Sequence, residues 1–166
     1  NAWSAPTCSP TRASILTGRH GFRTGVGTQI IDDTSAALGL EEQTLPKALE
    51  AGNPGVYAAA CIGKWHVSNA TNGGADHPNL AGFSHYVGSW QGALPDYFAW
   101  PRTVDGVTAT VNEYATTVQV NDAQDWIAAQ ERPWLLWLAF NAPHSPFHVP
   151  PSVCTAMRAW WARRSP

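Results

Sequence analysis

Methionine occurs once in this chain, at Met157, and cysteine three times, at Cys8, Cys61 and Cys154. With no methionine at its start, the chain is expected to be processed or truncated ahead of Asn1, and any targeting segment would have gone with that stretch. An odd set of cysteines without a Cys-x-x-Cys pair argues against a disulfide framework and against a cysteine-rich zinc site. Long apolar runs are missing too. The longest, Trp134 to Phe140, falls far short of the roughly 20 residues a membrane helix needs and suits a buried strand. Charged residues make up only 13% of the sequence, the formal net charge is -2, and no basic block stands out. Neither nucleic acid nor a membrane is therefore expected among the partners. What is present, 166 residues with 44% hydrophobic content, is enough for one globular domain with a core.

Strand and helix signals alternate along the chain. Residues 1–7 read as the end of a strand. Ser9-Pro10-Thr11-Arg12 then carries helix-start chemistry, with Ser9 as the cap and Pro10 at the first helical position. That helix should stop at Gly18, because glycine tolerates the positive φ of a helix end. Cys8 is thus expected at the junction of a strand end and a helix N-terminus. A second helix is signalled from Thr44 and ended by Gly52, and a short apolar strand follows over Val56 to Ile62. From Ser68 to about Pro101 the content of Gly, Asn, Asp and Pro predicts long loops, and Thr103 to Val107 predicts a hairpin turn.

Asn112 to Gln130 fits an amphipathic helix with Tyr114, Val118, Trp126 and Ile127 on its apolar side. Trp134 to Phe140 is continuously apolar, which predicts a parallel strand buried on both faces. This alternation predicts an α/β fold, layered α/β/α around a mostly parallel central sheet. In open sheets of that kind functional groups gather beyond the carboxyl ends of the strands. The polar motifs around Cys8, around Lys64 and His66, and around His144 each follow a predicted strand, so one rim could hold all three.

The stretch Cys8-Ser-Pro10-Thr-Arg12-Ala-Ser-Ile-Leu16-Thr17-Gly18 resembles the signature of the type I sulfatases, Cys-x-Pro-x-Arg followed by a short apolar helix ending in Thr-Gly. Gly63-Lys64-Trp65-His66 resembles that family's second signature, and Ala142-Pro143-His144-Ser-Pro146 its later histidine motif. The three stand in family order. The resemblance runs from Asn1 to about Pro151 and implies an incomplete piece of an alkaline-phosphatase-like fold: residues 1–151 as a partial sulfatase catalytic domain, and 152–166 as a divergent segment of unknown role.

The resemblance implies a sulfuric ester hydrolase of arylsulfatase type, acting on a small-molecule or carbohydrate sulfate ester. Its nucleophile precursor would be Cys8, oxidised to formylglycine by a maturation enzyme that reads Cys8, Pro10 and Arg12. In such enzymes one hydroxyl of the hydrated aldehyde takes the sulfate, and the other collapses to expel it, so no water need attack a stable ester. Arg12 would hold the nucleophile's oxygen, Lys64 the sulfate oxygens, and His66 the formylglycine hydroxyl. His144 would protonate the leaving alcohol or bind sulfate. His148 is a candidate substrate-pocket residue. A helix N-terminus also suits an anionic substrate.

The family binds a divalent cation, usually calcium with magnesium as the alternative, through a paired-Asp motif ahead of the cysteine and an Asp-Asn pair beyond the later histidine. Neither is in this sequence, and calcium wants six to eight oxygen ligands. The formylglycine at position 8 would be the only metal ligand here, so the fragment alone is expected to be inactive. Asp32-Asp33 follows the cysteine and reads as a solvated loop. A periplasmic or secreted setting is implied by the resemblance alone.

Other readings stay open. Phosphonate monoester and phosphodiester hydrolases share the formylglycine motif on the same scaffold, and a non-catalytic remnant would keep the fold without the reaction. A tyrosine-phosphatase loop is excluded, since the position that would need Arg is Ser14. His144 and His148 have an H-x3-H spacing, but no further zinc ligands at regular spacing accompany them. His20, His77 and His85 read as surface or pocket histidines. Most of the nine tryptophans read as core, while Trp90, Tyr97 and Trp100 fall in the loop region where an aryl or sugar group could stack. Asn69-Ala-Thr71 fits a glycosylation sequon.

Overall fold

The computed structural model describes residues 4–152. Its first element is helix α1, Cys8–Thr17, which ends on Gly18 in the left-handed region at φ 67. The start differs from expectation by two residues. Thr7 is the cap position and its side chain makes no capping bond, so Pro10 lies inside the first turn, where its missing N–H leaves no carbonyl unpaired. The Ser9 hydroxyl, expected to cap, instead accepts from the Ile30 N–H at 3.2 Å. Residues 4–7 form a bend and no strand; the rest of the expected strand end, residues 1–3, lies outside the described residues.

A single-turn α2, Gly21–Thr24, and α3, Leu45–Gly52, follow. α3 starts directly after Thr44, where the helix was expected, with Pro46 in its first turn; the Thr44 hydroxyl makes no capping bond and donates to the Ala81 carbonyl. Strand β1, Ala58–Lys64, is buried along its whole length. It begins two residues later than the apolar run suggested and carries Lys64 as its last residue. The segment read as loops contains α4, His77–Leu80, and a strand, β2, His85–Ser89. The sequence hid β2 because its pattern, His-Tyr-Val-Gly-Ser, is short and includes a glycine. The hairpin expected at 103–107 is present: β3, Trp100–Val104, pairs antiparallel with β4, Val107–Val111. Helix α5, Ala115–Ala128, and β5, Trp134–Ala139, complete the order.

The five strands form one mixed sheet in the order β4-β3-β2-β1-β5. Its centre is parallel, β1 pairing with both β2 and β5, and its far side is the antiparallel hairpin. Helices cover both faces. On one, Ala13 and Leu16 of α1 pack with Ala59, Cys61, Trp65 and Tyr86. On the other, Ala123 of α5 packs with Ile62 and Val87, and Trp126 joins them. The alternation of Cys61 and Ile62 between two cores is the pleat of β1 seen from its two sides. The buried stripe of α5 is Ala115, Gln119 and Ala123, one helical turn apart each time; Ile127, expected on the apolar side, stays 36% exposed.

β5 departs from expectation. It pairs parallel with β1 but is the edge strand, so its residues are half-buried and Trp134 is 45% exposed. Among the described residues no helix is long and apolar enough to cross a membrane.

Candidate active site

Two close approaches of backbone set the site's frame. Gly63 and Gly88 lie opposite each other in the β1/β2 ladder. A Cβ on Gly88 would stand 1.9 Å from the Gly63 carbonyl oxygen, and one on Gly63 would stand 2.1 Å from that of Ala139. Only glycine fits at either point, and β1 ends just beyond, bringing Lys64 and His66 to the start of α1, while Trp65 between them turns into the core.

His66 itself has a positive φ of 55, a conformation that costs a non-glycine residue free energy and persists only where its surroundings enforce it. They do. Its backbone N–H donates to the Trp90 carbonyl at 3.1 Å. Its Nε2 lies 2.8 Å from the Ile30 carbonyl oxygen and its Nδ1 lies 3.0 Å from Cys8 Sγ. A carbonyl can only accept, so Nε2 carries the proton and Nδ1 presents a lone pair to Cys8. Burial is the main reason the His66 pKa is pushed down to about 4, with the charges of Lys64, Arg12 and His144 adding to the effect. The ring is therefore neutral at pH 7 and an acceptor toward position 8.

Arg12, one helical turn beyond Cys8, donates through Nη1 to the Lys64 carbonyl oxygen and lies over the Trp137 ring, 5.6 Å from its centroid. That bond ties α1 to the end of β1. Lys64 is only 2% exposed. Burial pulls its pKa down, while Cys8 opposes that by its charge and a side-chain hydrogen bond. Burial lowers the Arg12 pKa as well, and an arginine remains charged regardless. Around Cys8 Sγ, then, stand an arginine, a lysine and a neutral imidazole, at the N-terminus of a ten-residue helix. Such a set stabilises negative charge developing at one point.

The other described thiol is different in kind. Cys61 is fully buried and desolvation raises its pKa, which makes it an inert core side chain. Cys8 and Cys61 are both free; Cys154 lies outside the described residues.

His144 lies beyond β5, with its side chain exposed and its Nδ1 directed to the Ser145 carbonyl oxygen at 2.9 Å. The Tyr97 hydroxyl donates to the His144 carbonyl at 3.0 Å. His148 stacks on Tyr97 with ring centroids 4.1 Å apart, and its Nε2 meets the Tyr114 hydroxyl at 3.0 Å. His144 and His148 line one pocket of about 220 Å³ with Tyr114 and Phe147.

Several sequence expectations change. Tyr97 and Trp100 are 1% and 0% exposed and belong to the core under the hairpin, not to a stacking surface; Trp90 alone of the three lines a cleft. His77 is fully buried between Trp65 and Leu38 instead of at the surface. His85 is half-buried and pairs with Asp105. Asn69 is buried and its amide donates to the carbonyls of Asp33 and Ser35, so the folded chain offers no free sequon amide. Sequence reasoning also missed Ile30, whose carbonyl holds the His66 ring, and read Ser9, which holds Ile30 in turn, only as a helix cap; no local signal marks a backbone carbonyl as a partner.

Two clefts open at the Cys8–His66 contact. Cys8, Arg12, Ile15 and Trp137 line one of about 360 Å³. His66, Trp90, Asp32 and Asp33 line another of about 350 Å³. Asp32-Asp33, expected as a solvated loop, is indeed exposed, at the rim of the second cleft. Among the described residues no three His, Cys, Asp or Glu side chains cluster to hold a metal ion. The groups nearest Cys8 are cations and an imidazole, which suit an anion. The residues present therefore do not themselves make up a calcium or magnesium site.

A family model described as Sulfatase matches residues 1–162. The chain belongs to the sulfatase family. It is similar to arylsulfatase G of Homo sapiens, 42% identical over 85 residues covering 51% of this chain and 15% of that protein. It is also similar to arylsulfatase J of Mus musculus, 29% identical over 168 residues covering 90% of this chain and 27% of that protein. Among solved structures, that of Ps i-CgsB superposes with a TM-score of 0.75 at 24% identity, over 91% of this chain and 38% of the other. The structure of BT4656 in complex with its substrate D-glucosamine-2-N,6-O-disulfate gives a TM-score of 0.68 at 24% identity, over 96% and 30%. These likenesses bear out the layered, alkaline-phosphatase-like α/β fold. This sulfatase chain spans 15% and 27% of the two curated relatives' lengths.

Proposed function

We infer that this chain carries the nucleophile side of a sulfuric ester hydrolase site, cleaving a sulfate monoester to an alcohol and sulfate, with formylglycine made from Cys8 by a maturation enzyme. The observation that carries the reading is the contact of Cys8 Sγ with His66 Nδ1 at 3.0 Å, at a helix start flanked by Arg12 and Lys64. Cys8 Sγ stands where an oxygen of the formylglycine would be. A hydrated aldehyde there supplies a nucleophilic hydroxyl and a second hydroxyl whose loss of a proton releases sulfate.

The chain's own residues do the rest. His66, neutral and held by Ile30 through Nε2, accepts a proton at Nδ1 from the group at position 8. Lys64, buried at the end of β1, reaches the sulfate oxygens, where a desolvated ammonium is worth more than in water. Arg12 neutralises charge at the nucleophile and fixes α1 against β1. His144 is the residue on the leaving-group side, donating a proton to the alcohol or binding sulfate, and His148 shares its pocket. The resemblance implies a calcium or magnesium ion. Position 8 is the one ligand for it found among these residues, and none of the steps above passes through the ion.

Sulfated carbohydrates and small aryl esters are the substrate classes in view, the former supported by the sulfated sugar named in the BT4656 complex. The test is turnover of aryl sulfate and aryl phosphonate esters by the full-length protein and its Cys8→Ala variant. Sulfate cleavage lost in the variant is the expected result. Activity retained without Cys8, or a strong preference for phosphonate, overturns the reading.

A further inference from the structure

The turn that carries His144 is fastened on both sides of that residue, while its side chain stands in the open. The His144 N–H donates to the Asn141 carbonyl, and its own carbonyl accepts from the Tyr97 hydroxyl, each at 3.0 Å. Tyr97 and Asn141 are both buried. Asn141 is held in turn from α5, where the fully buried Gln119 donates through Nε2 to Asn141 Oδ1 at 2.7 Å. Tyr97 is tied to the same helix, since the Ala115 N–H donates to its carbonyl at 2.8 Å. One helix, packed on β1 and β2 through Ala123, Ile62 and Val87, thus anchors the His144 backbone at two points.

The Gln119–Asn141 pair is a poor device for stability. Gln119 lies between Ala115 and Ala123 on the buried stripe of α5, a place where leucine would bury more apolar surface. Gln119 Oε1 and Asn141 Nδ2 have no partner among the described residues, and a buried amide with unmade hydrogen bonds costs free energy. What the pair does supply is a directional bond that fixes the start of the turn. That place matters to the site. Ala139, two residues before Asn141, pairs with Gly63 and lines the cleft of Cys8 and Arg12. Charge on His144 is also felt at His66, whose pKa it lowers.

We propose that Tyr97 and the Gln119–Asn141 pair are positioning residues for proton delivery to the leaving alcohol, acting through the His144 backbone to set the place of its ring. The proposal rests on the leaving-group role given to His144 above and names the residues that hold it there. The Ser145 carbonyl can only accept, so the Nδ1 that meets it at 2.9 Å carries a proton. In the imidazolium, the Nε2 proton is then the one left for the ester. The position 8 oxygen bonds to sulfur as the bond from sulfur to the alcohol oxygen breaks. The electron pair of that bond stays on the alcohol oxygen, which takes the Nε2 proton and leaves the ring neutral. Such a transfer needs the heavy atoms about 3 Å apart, which an exposed ring on an unanchored turn would seldom meet.

The experiment follows kcat/KM of the full-length protein for para-nitrophenyl sulfate, whose phenolate departs unaided, and for phenyl sulfate, whose more basic phenolate needs the proton. The variants are Tyr97→Phe, which deletes one hydroxyl, Gln119→Met, which keeps the side-chain length, His144→Ala, and each of the first two combined with His144→Ala. His144→Ala should lower phenyl sulfate turnover about a hundredfold more than nitrophenyl sulfate turnover, and Tyr97→Phe and Gln119→Met about fivefold more. In the His144→Ala background neither should change the ratio between the esters further. If Tyr97→Phe and Gln119→Met slow both esters alike, or act as strongly without His144 as with it, their role is structural and the proposal is overturned. If His144→Ala itself leaves the ratio unchanged, the leaving-group role of His144 falls and this proposal with it. Hydrolysis of neither ester by the unaltered protein removes the sulfatase reading as a whole, and the proposal too.

Discussion

The His66 ring is held by the carbonyl of Ile30 at 2.8 Å, a residue of the loop after α2 and not of its own strand end. That carbonyl is fixed in turn, because the Ile30 N–H donates to the hydroxyl of Ser9, the residue next to Cys8. Cys8, Ser9, Ile30 and His66 thus close a ring of bonded contacts in which the proposed nucleophile precursor and the proposed base position each other.

The ring predicts that Ser9→Ala loosens His66 more than it harms the fold. The substitution removes a buried hydrogen bond worth about 1 kcal/mol, and the urea midpoint should drop accordingly. The kcat of the full-length protein should fall further than that loss explains, about tenfold, since a misplaced base is felt directly in the transition state. Unchanged kcat with reduced stability would show Ser9 to be structural only.

Lys64→Met keeps the length and apolar stem of the side chain while deleting its charge. The fold should survive, because Lys64 is 2% exposed and losing a buried ammonium relieves a desolvation cost. Turnover of a sulfate ester should fall about a hundredfold or more. Circular dichroism and kcat, measured side by side, check both halves.

Gly88→Ala should be among the most destabilising single methyl additions in the chain. Its Cβ would stand 1.9 Å from the Gly63 carbonyl oxygen, at a φ of 156, and neither backbone can yield without breaking the β1/β2 ladder. A loss of about 3 kcal/mol or more is expected. Thermal unfolding of the variant against Gly52→Ala, where a Cβ meets nothing within 4 Å, gives the comparison.

Acid should destabilise the fold through His77. Its Nε2 donates to the Leu38 carbonyl at 2.8 Å and its Nδ1 accepts from the Trp65 indole N–H at 3.2 Å, so protonation sets N–H against N–H. Burial above all holds its pKa below the usual 6.5. The unfolded chain then binds more protons than the folded one in the window below pH 6.5. The stability present above that value is lost as pH falls toward the lowered folded pKa. Urea denaturation between pH 7 and pH 5 should show the decline, and His77→Gln should lessen it, the remainder coming from His66, whose pKa is also pushed down by burial.

Much of this was legible in the sequence, for reasons that differ by residue. Gly18 was readable because a helix end there needs a residue that tolerates positive φ, whereas Cys8 and Arg12 were readable through the resemblance of Cys8-Ser-Pro10-Thr-Arg12 to the sulfatase signature. The Asp105-Gly106 turn was readable because its hairpin geometry dictates the residues. β2 was not, since a five-residue strand with a glycine has no period to detect. Nor was the partial exposure of β5, because apolarity records what a strand is meant to bury and not which neighbours this chain supplies. His77 and Asn69 were misplaced for a common reason. A polar side chain buried with full hydrogen bonding looks in sequence the same as one at the surface, and its partners here, Leu38, Asp33 and Ser35, offer only backbone carbonyls that no pattern marks.

The central claim is that position 8 becomes an aldehyde held among Arg12, Lys64 and His66. Mass spectrometry of the proteolytic peptide spanning Cys8, from protein co-expressed with a formylglycine-generating enzyme, tests it most directly. The account predicts replacement of the thiol's sulfur and two hydrogens by one oxygen. An intact, unmodified thiol at Cys8 under those conditions would contradict it.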